Sequence, residues 1–154
     1  EVRSGEALDM VQSMISGHSG SLTTVHANTA RDALVRLETL SLMSEVDLPV
    51  YVARAQVASA INVIVQLTRF SADGSRRVSR ITEAYGLDGN NQYQFQDLFV
   101  NRLEGRRDDG SLIAHLEATG TKPTFKHEPY EHGLDDQIQW TAEMWERGKI
   151  HHDS

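Results

Sequence analysis

Three short clusters carry residues with chemical potential. They are Glu1-Val2-Arg3, then Gly17-His18-Ser19-Gly20, then Val25-His26-Ala27-Asn28. In open α/β sheets, sites gather at the C-terminal ends of strands. A strand ending at or just before Glu1 would place Glu1 and His26 at one sheet edge, so that a carboxylate and an imidazole converge on one crevice. Such a carboxylate can orient a water or a metal-bound water, and the imidazole can sense or polarise a phosphate. Each residue taken singly has a plainer reading: a histidine after a strand is commonly structural, and a glutamate at a chain terminus is commonly solvated.

The elements that must position these residues follow from periodicity. Ser4 is a suitable N-cap, and Glu6 and Asp9 favour a helix start through its dipole. Leu8, Val11 and Ile15 fall on one face of that helix, and Gly17 suits its C′ position. The β-branched run from Ser21 to His26 predicts a short strand. Asn28 or Thr29 caps a second helix with an apolar stripe of Ala30, Ala33, Leu34, Leu37 and Leu40. Pro49 opens a third, with Val50, Ala53, Val57, Ala60 and Ile61 on its stripe. Val63 to Leu67 then reads as a mostly buried strand. This order predicts an α/β domain with a parallel sheet. Asp73-Gly74 and Asp88-Gly89 are turn signals around the strand-like runs 77–85 and 92–100, which predicts a β-meander at the sheet edge. Glu104 to Gly110 reads as a loop, Gly120 to Gly133 as irregular, and Leu134 to Arg147 as a last helix with Leu134, Ile138 and Trp145 on one side.

Composition narrows the function classes. The 154 residues suit one domain and contain no cysteine, which excludes disulfides and thiolate metal sites. The net charge is −7 with mixed signs, so a broad basic face for duplex DNA is not expected. The cluster Arg76, Arg77 and Arg80 reads as solvated, or as a contact to acidic lipid or a membrane partner. Seven histidines show no zinc-like spacing: His127 and His132 are five apart, and His151-His152 is terminal. No metal site is therefore predicted. No apolar run approaches the ~20 residues of a membrane-spanning helix, and no basic-then-apolar leader opens the chain. The chain begins at Glu1, and no strand precedes the first helix, so an upstream half is expected.

Several spaced motifs occur together in order: Glu1-Val2-Arg3-Ser4-Gly5-Glu6-Ala7-Leu8, Gly17-His18, Thr24-Val25-His26-Ala27-Asn28, Asp32 to Leu40, Leu48-Pro49, Gln56 to Ile61, Val63 to Leu67, Gly74 to Val78, and Ile81-Thr82-Glu83. This run resembles the secretion (traffic) ATPases of the type II and type IV secretion superfamily, within them the CpaF-like ATPases of tight-adherence (Flp) pili. The resemblance covers residues 1 to 100, and more thinly Gly120 to Phe125. It implies the C-terminal portion of a RecA-like P-loop ATPase domain at residues 1–100, lacking the P-loop half, with a polar extension at 101–154. By the family pattern Glu1 is the Walker B glutamate that positions the attacking water. Arg3, His18 and His26 lie near the nucleotide or a subunit interface, and Asn28 and Arg36 fall in the same matched segments. ATP and Mg²⁺ are the implied cofactors. A homo-hexamer at the cytoplasmic side of the inner membrane, working on platform proteins of a secretion or pilus system, is the implied setting. The sequence contains no G-x-x-x-x-G-K-[ST], so these residues alone are expected not to hydrolyse ATP. The alternative is a non-catalytic ring-interface or partner-binding module.

Overall fold

The computed structural model describes residues 1–17, 20–125, 131 and 133. Three helices, α1 (Glu6–Ile15), α2 (Ala30–Leu42) and α3 (Val50–Ala60), precede four strands, β1 (Val63–Arg69), β2 (Arg76–Leu87), β3 (Tyr93–Arg106) and β4 (Leu112–Ala118). The chain divides into two compact units. One holds Glu1–Asn62 with Ala84–Phe95, and the other holds Val63–Glu83 with the residues from Gln96 onward.

In the first unit the helices pack on one another through the stripes that periodicity predicts. Leu8 and Val11 of α1, Ala33, Leu34, Leu37 and Leu40 of α2, and Ala53 and Val57 of α3 are buried, as are Ala84 and Tyr93 from the hairpin end. Gly5 allows the close approach of α1 to the chain leaving α2, since a Cβ there would stand 3.0 Å from the Ser44 Cα. Gly17 takes a left-handed φ of 107° just past the α1 C-cap, as a C′ glycine should. Thr29 caps α2, its hydroxyl accepting from the Asp32 amide at 3.1 Å. The N-cap of α1 is Gly5, not Ser4. The Ser4 hydroxyl donates to Glu6 instead, and the Glu6 carboxylate takes over the capping by accepting the Arg3 and Ser4 amides at 3.0 and 3.2 Å.

Residues 21–26 do not form a strand. A strand is defined by its neighbours, and the backbone bond from Val2 N–H to Thr24 C=O, 3.0 Å, is the single rung that reaches Thr24 from the start of the chain. β-branched residues set the local conformation, but they do not supply the partner.

The second unit carries most of a four-stranded sheet in the order β1-β2-β3-β4. β1 pairs antiparallel with β2, and β3 with β4. The five residues between β2 and β3 can close only an antiparallel hairpin. The expected parallel sheet is thus not what the described residues form. β1 is an edge strand, and its residues alternate between exposed and half-buried rather than being buried throughout. The turns sit where Asp-Gly signals place them, at 73–74 and 88–89. The predicted loop 104–110 is mostly strand: β3 continues to Arg106, and the reversal is confined to residues 107–111. Gly110 turns there at φ 86°, and Asp109 accepts from the Ser111 amide at 2.9 Å, so a charged, glycine-containing run closes a hairpin. Gly120 to Phe125 contains neither helix nor strand. The predicted helix 134–147 and His127, His132, His151 and His152 lie outside the described residues. No helix among the described residues is long and apolar enough to cross a membrane.

Candidate functional site

The first unit brings three of the sequence-predicted residues together. The Val2–Thr24 bond lays the start of the chain alongside the segment that holds Thr24, and Val2 is buried beneath it. Glu1 and Arg3 flank Val2 in sequence, and His26 lies two residues beyond Thr24. The Glu1 carboxylate therefore meets a guanidinium and an imidazole. One oxygen, Oε2, bonds the Arg3 guanidinium, and the other, Oε1, lies 2.8 Å from His26 Nε2. The carboxylate is 28% exposed, whereas Arg3 and His26 are 76% and 85% exposed. The acid is thus shielded, and the two nitrogen groups stand open to an incoming anion.

The electrostatics follow from those contacts. The Arg3 guanidinium holds the Glu1 carboxyl below its ordinary value, against the opposing effect of burial, with the charges of Arg3 and His26 adding to it. Glu1 is therefore an anion at neutral pH: it accepts hydrogen bonds and is a poor proton donor. Arg3 is fixed from behind by its own backbone, whose amide donates to Glu6. This support is legible in hindsight as a serine two residues before a glutamate at a helix start.

His18 lies outside the described residues. Asn28 is exposed just before the α2 cap, and Arg36 is exposed on the outer face of α2; neither bonds Glu1. The structure brings together Glu1, Arg3 and His26, and does not bring Asn28 or Arg36 to them. No group of three or more histidine, cysteine or acidic residues among the described residues could hold a metal ion. The donor set suits the reacting-water side of a phosphate site: one partly shielded carboxylate, with an exposed guanidinium and an exposed imidazole whose N–H groups can donate to phosphate oxygens. A glycine-rich cradle of backbone amides is not among these residues.

Residues 1–110 match the family described as type II/IV secretion system protein. The type IV secretion system protein PtlH of Bordetella pertussis is 41% identical over 92 residues, covering 58% of this chain and 26% of PtlH. The conjugal transfer protein TrbB of Rhizobium radiobacter is 36% identical over 96 residues, covering 61% of this chain and 27% of TrbB. The type IV secretion system protein VirB11 of Bartonella quintana is 39% identical over 83 residues, covering 53% and 23%. The chain spans about a quarter of the length of these curated relatives.

Proposed function

The chain belongs to the type II/IV secretion system protein family, and from that premise we propose that it is the C-terminal part of a hexameric motor ATPase that drives pilus assembly or protein secretion. The observation that carries this reading is the placement of the Glu1 carboxylate between the Arg3 guanidinium and the His26 imidazole, in a chain whose residues 1–110 match the family. The motif run from Glu1 to Glu83 favours the CpaF-like ATPases of tight-adherence pili as the subgroup. A ring at the cytoplasmic face of the inner membrane, acting on platform proteins, is the setting that goes with it, and the RecA-like parallel sheet would be completed by chain outside these residues.

In this reading bound ATP, with Mg²⁺, supplies the anhydride, and the residues here handle the water. Glu1, anionic at neutral pH, accepts a hydrogen bond from the attacking water and holds it in line. Arg3 restrains the carboxylate so that one oxygen keeps a fixed direction. His26, on an exposed side chain, exchanges Glu1 Oε1 for a phosphate oxygen and so reports whether the phosphate is present. The phosphate cradle comes from a G-x-x-x-x-G-K-[ST] loop that these 154 residues do not contain.

The test is turnover by the full-length gene product. Glu1→Gln should lower ATP hydrolysis by roughly 10²-fold or more while nucleotide binding persists, the size expected when a positioned proton acceptor is lost. Turnover that survives the change would remove Glu1 from this role. Turnover by residues 1–154 alone would remove the need for the loop.

A further inference from the structure

Each compact unit carries one exposed surface whose charge is opposite to that of the other. In the first unit the surface is the loop between α2 and α3 with the first turn of α3. Met43, Val46, Val50 and Tyr51 are 63%, 57%, 53% and 65% exposed there. Apolar side chains scattered singly need no explanation, but four along one stretch mark an interaction surface. Glu45 and Asp47 stand exposed among them, and neither forms an ion pair among the described residues. This ridge is held from beneath. The Met43 and Ser44 amides bond α2 carbonyls at 3.1 and 3.2 Å, and Gly5 lies so close that a Cβ on it would stand 3.0 Å from the Ser44 Cα. The ridge is thus fixed to the stretch that carries Glu1 and Arg3.

The second unit carries the counterpart. Its two hairpin turns, 70–75 and 107–111, are fastened together: Asp73 accepts the Leu112 amide at 2.9 Å, and Arg77 donates to the Leu112 carbonyl at 2.9 Å. Arg69, Arg76, Arg106 and Arg107 are exposed at this tip. Arg69 stands directly opposite Arg76, and like charges facing each other across a strand pair are destabilising. None of these four forms an ion pair among the described residues. With Arg77 they outnumber the turn carboxylates Asp73, Asp108 and Asp109, in a chain whose net charge is −7. Every cation here is an arginine, whose planar fork matches a carboxylate and whose stem can cover apolar surface.

We propose that the arginine tip of one copy seats on the acidic ridge of the next, with guanidiniums toward Glu45 and Asp47 and arginine stems over Met43, Val46 and Val50. Each copy offers both surfaces, so the contact is head-to-tail and repeats from copy to copy. It rests on the ring reading above and names the surfaces that meet in that ring. Through Gly5 it joins one copy's tip to the stretch bearing its neighbour's Glu1 and Arg3.

The test is a charge swap in the full-length gene product, read by sedimentation. Glu45→Arg with Asp47→Arg, and separately Arg76→Glu with Arg106→Glu, should each raise the concentration needed for association by roughly tenfold or more, since like charges then face each other. Mixing the two variants should restore association, because reversed ridges then meet reversed tips. Normal association of either variant, or a mixture that does not recover, would overturn the contact and leave the ring reading in place. A natural protein that stays monomeric would remove the ring reading itself, and the contact with it. Should the reversed chains fail to fold, Glu45→Gln with Asp47→Asn replaces them. Association of the natural protein should weaken as salt screens the exposed charges, and this variant should lose most of that dependence. Association that ignores salt, or that responds equally in the variant, would overturn the proposal.

Discussion

Arg54 of α3 lays two nitrogens on the buried Glu38 carboxylate of α2, Nε to Oε1 at 2.9 Å and Nη2 to Oε2 at 3.2 Å. Its third nitrogen donates to the Asn91 carbonyl at 3.2 Å. Asn91 turns there at φ 60°, and burial beside the same carboxylate pushes the Tyr93 phenol well above its ordinary value. One guanidinium thus joins two helices and the β2–β3 turn in the first unit. Arg54→Ala leaves Glu38 buried with its charge uncompensated. Arg54 is a quarter exposed, so the expected loss is roughly 2–3 kcal/mol, below the 3–5 kcal/mol of a fully buried pair. Urea unfolding measures it. The double change Glu38→Leu with Arg54→Met should recover much of the loss, since it removes the orphaned charge; a double variant no better than the single would show that the pair is not what binds these elements.

Glu83 presents a second buried carboxylate, satisfied by hydrogen bonds to Thr124 and Gln96. Glu83→Ala removes the acceptor from the Thr124 amide and from the Gln96 side chain. A loss of about 2 kcal/mol is expected for buried donors left unmatched. Amide exchange should quicken at Thr124 while it stays slow in α2. Exchange at Thr124 that does not change would mean the 122–124 segment is held by something other than Glu83.

The helices were legible because each buries a stripe that recurs at helical spacing: Leu34, Leu37 and Leu40 announce α2 without any neighbour. The hairpin turns were legible because Asp73-Gly74 and Asp88-Gly89 are local chemistry. Pairing was less so. Val63 to Leu67 looks like a buried strand from its β-branched content, yet its neighbour is decided by the 73–74 turn, which folds β2 back against it. The same limit applies to residues 21–26, where β-branched side chains favour an extended backbone but the ladder depends on a partner strand. The run from Glu104 to Gly110 reads as a loop, and that a hairpin turn closes within it shows only once Ser111 is seen bonding Asp109. At the candidate site, Glu1 and His26 were joined by reasoning about strand ends, and the contact exists, although through a single backbone bond rather than a sheet edge. The Glu38–Arg54 pair gave no signal, because residues 16 apart on different helices have no spacing rule.

Asp73 should prove to be the residue that fastens the β1–β2 turn to β4. Its carboxylate accepts from the Ser75 hydroxyl and amide, from the Leu112 amide at 2.9 Å and from Arg77 at 3.4 Å. The Ser75 hydroxyl first, and then the backbone amides, hold it well below the usual carboxylate range. Asp73→Ala should speed exchange at the Leu112 amide by roughly tenfold or more. Arg77 also donates to the Leu112 carbonyl at 2.9 Å, so Arg77→Ala should give a smaller effect on the same amide. The reverse ranking would make Arg77 the fastening residue.

The start of α1 should respond to acid through Glu6. Its carboxyl falls from an ordinary 4.5 to about 2, chiefly through the Ser4 hydroxyl and then the Arg3 amide. A depressed folded-state pKa means that the folded state binds its proton more weakly than the unfolded state does. The contribution is therefore complete above about 4.5 and disappears as the pH falls through about 2. Glu6 is exposed, so the effect is local: α1 should fray at its first turn in that window while α2 and α3 hold. Ser4→Ala removes the largest cause, and an NMR titration should then find the Glu6 carboxyl nearer its ordinary value. Because Glu6 also receives the Arg3 amide, fraying should loosen Arg3 and with it the grip on Glu1, so the Glu1 carboxyl should titrate higher in Ser4→Ala than in the natural chain. A Glu1 titration that does not move would show that the site is held by Val2 and Thr24 alone, independently of how the helix begins.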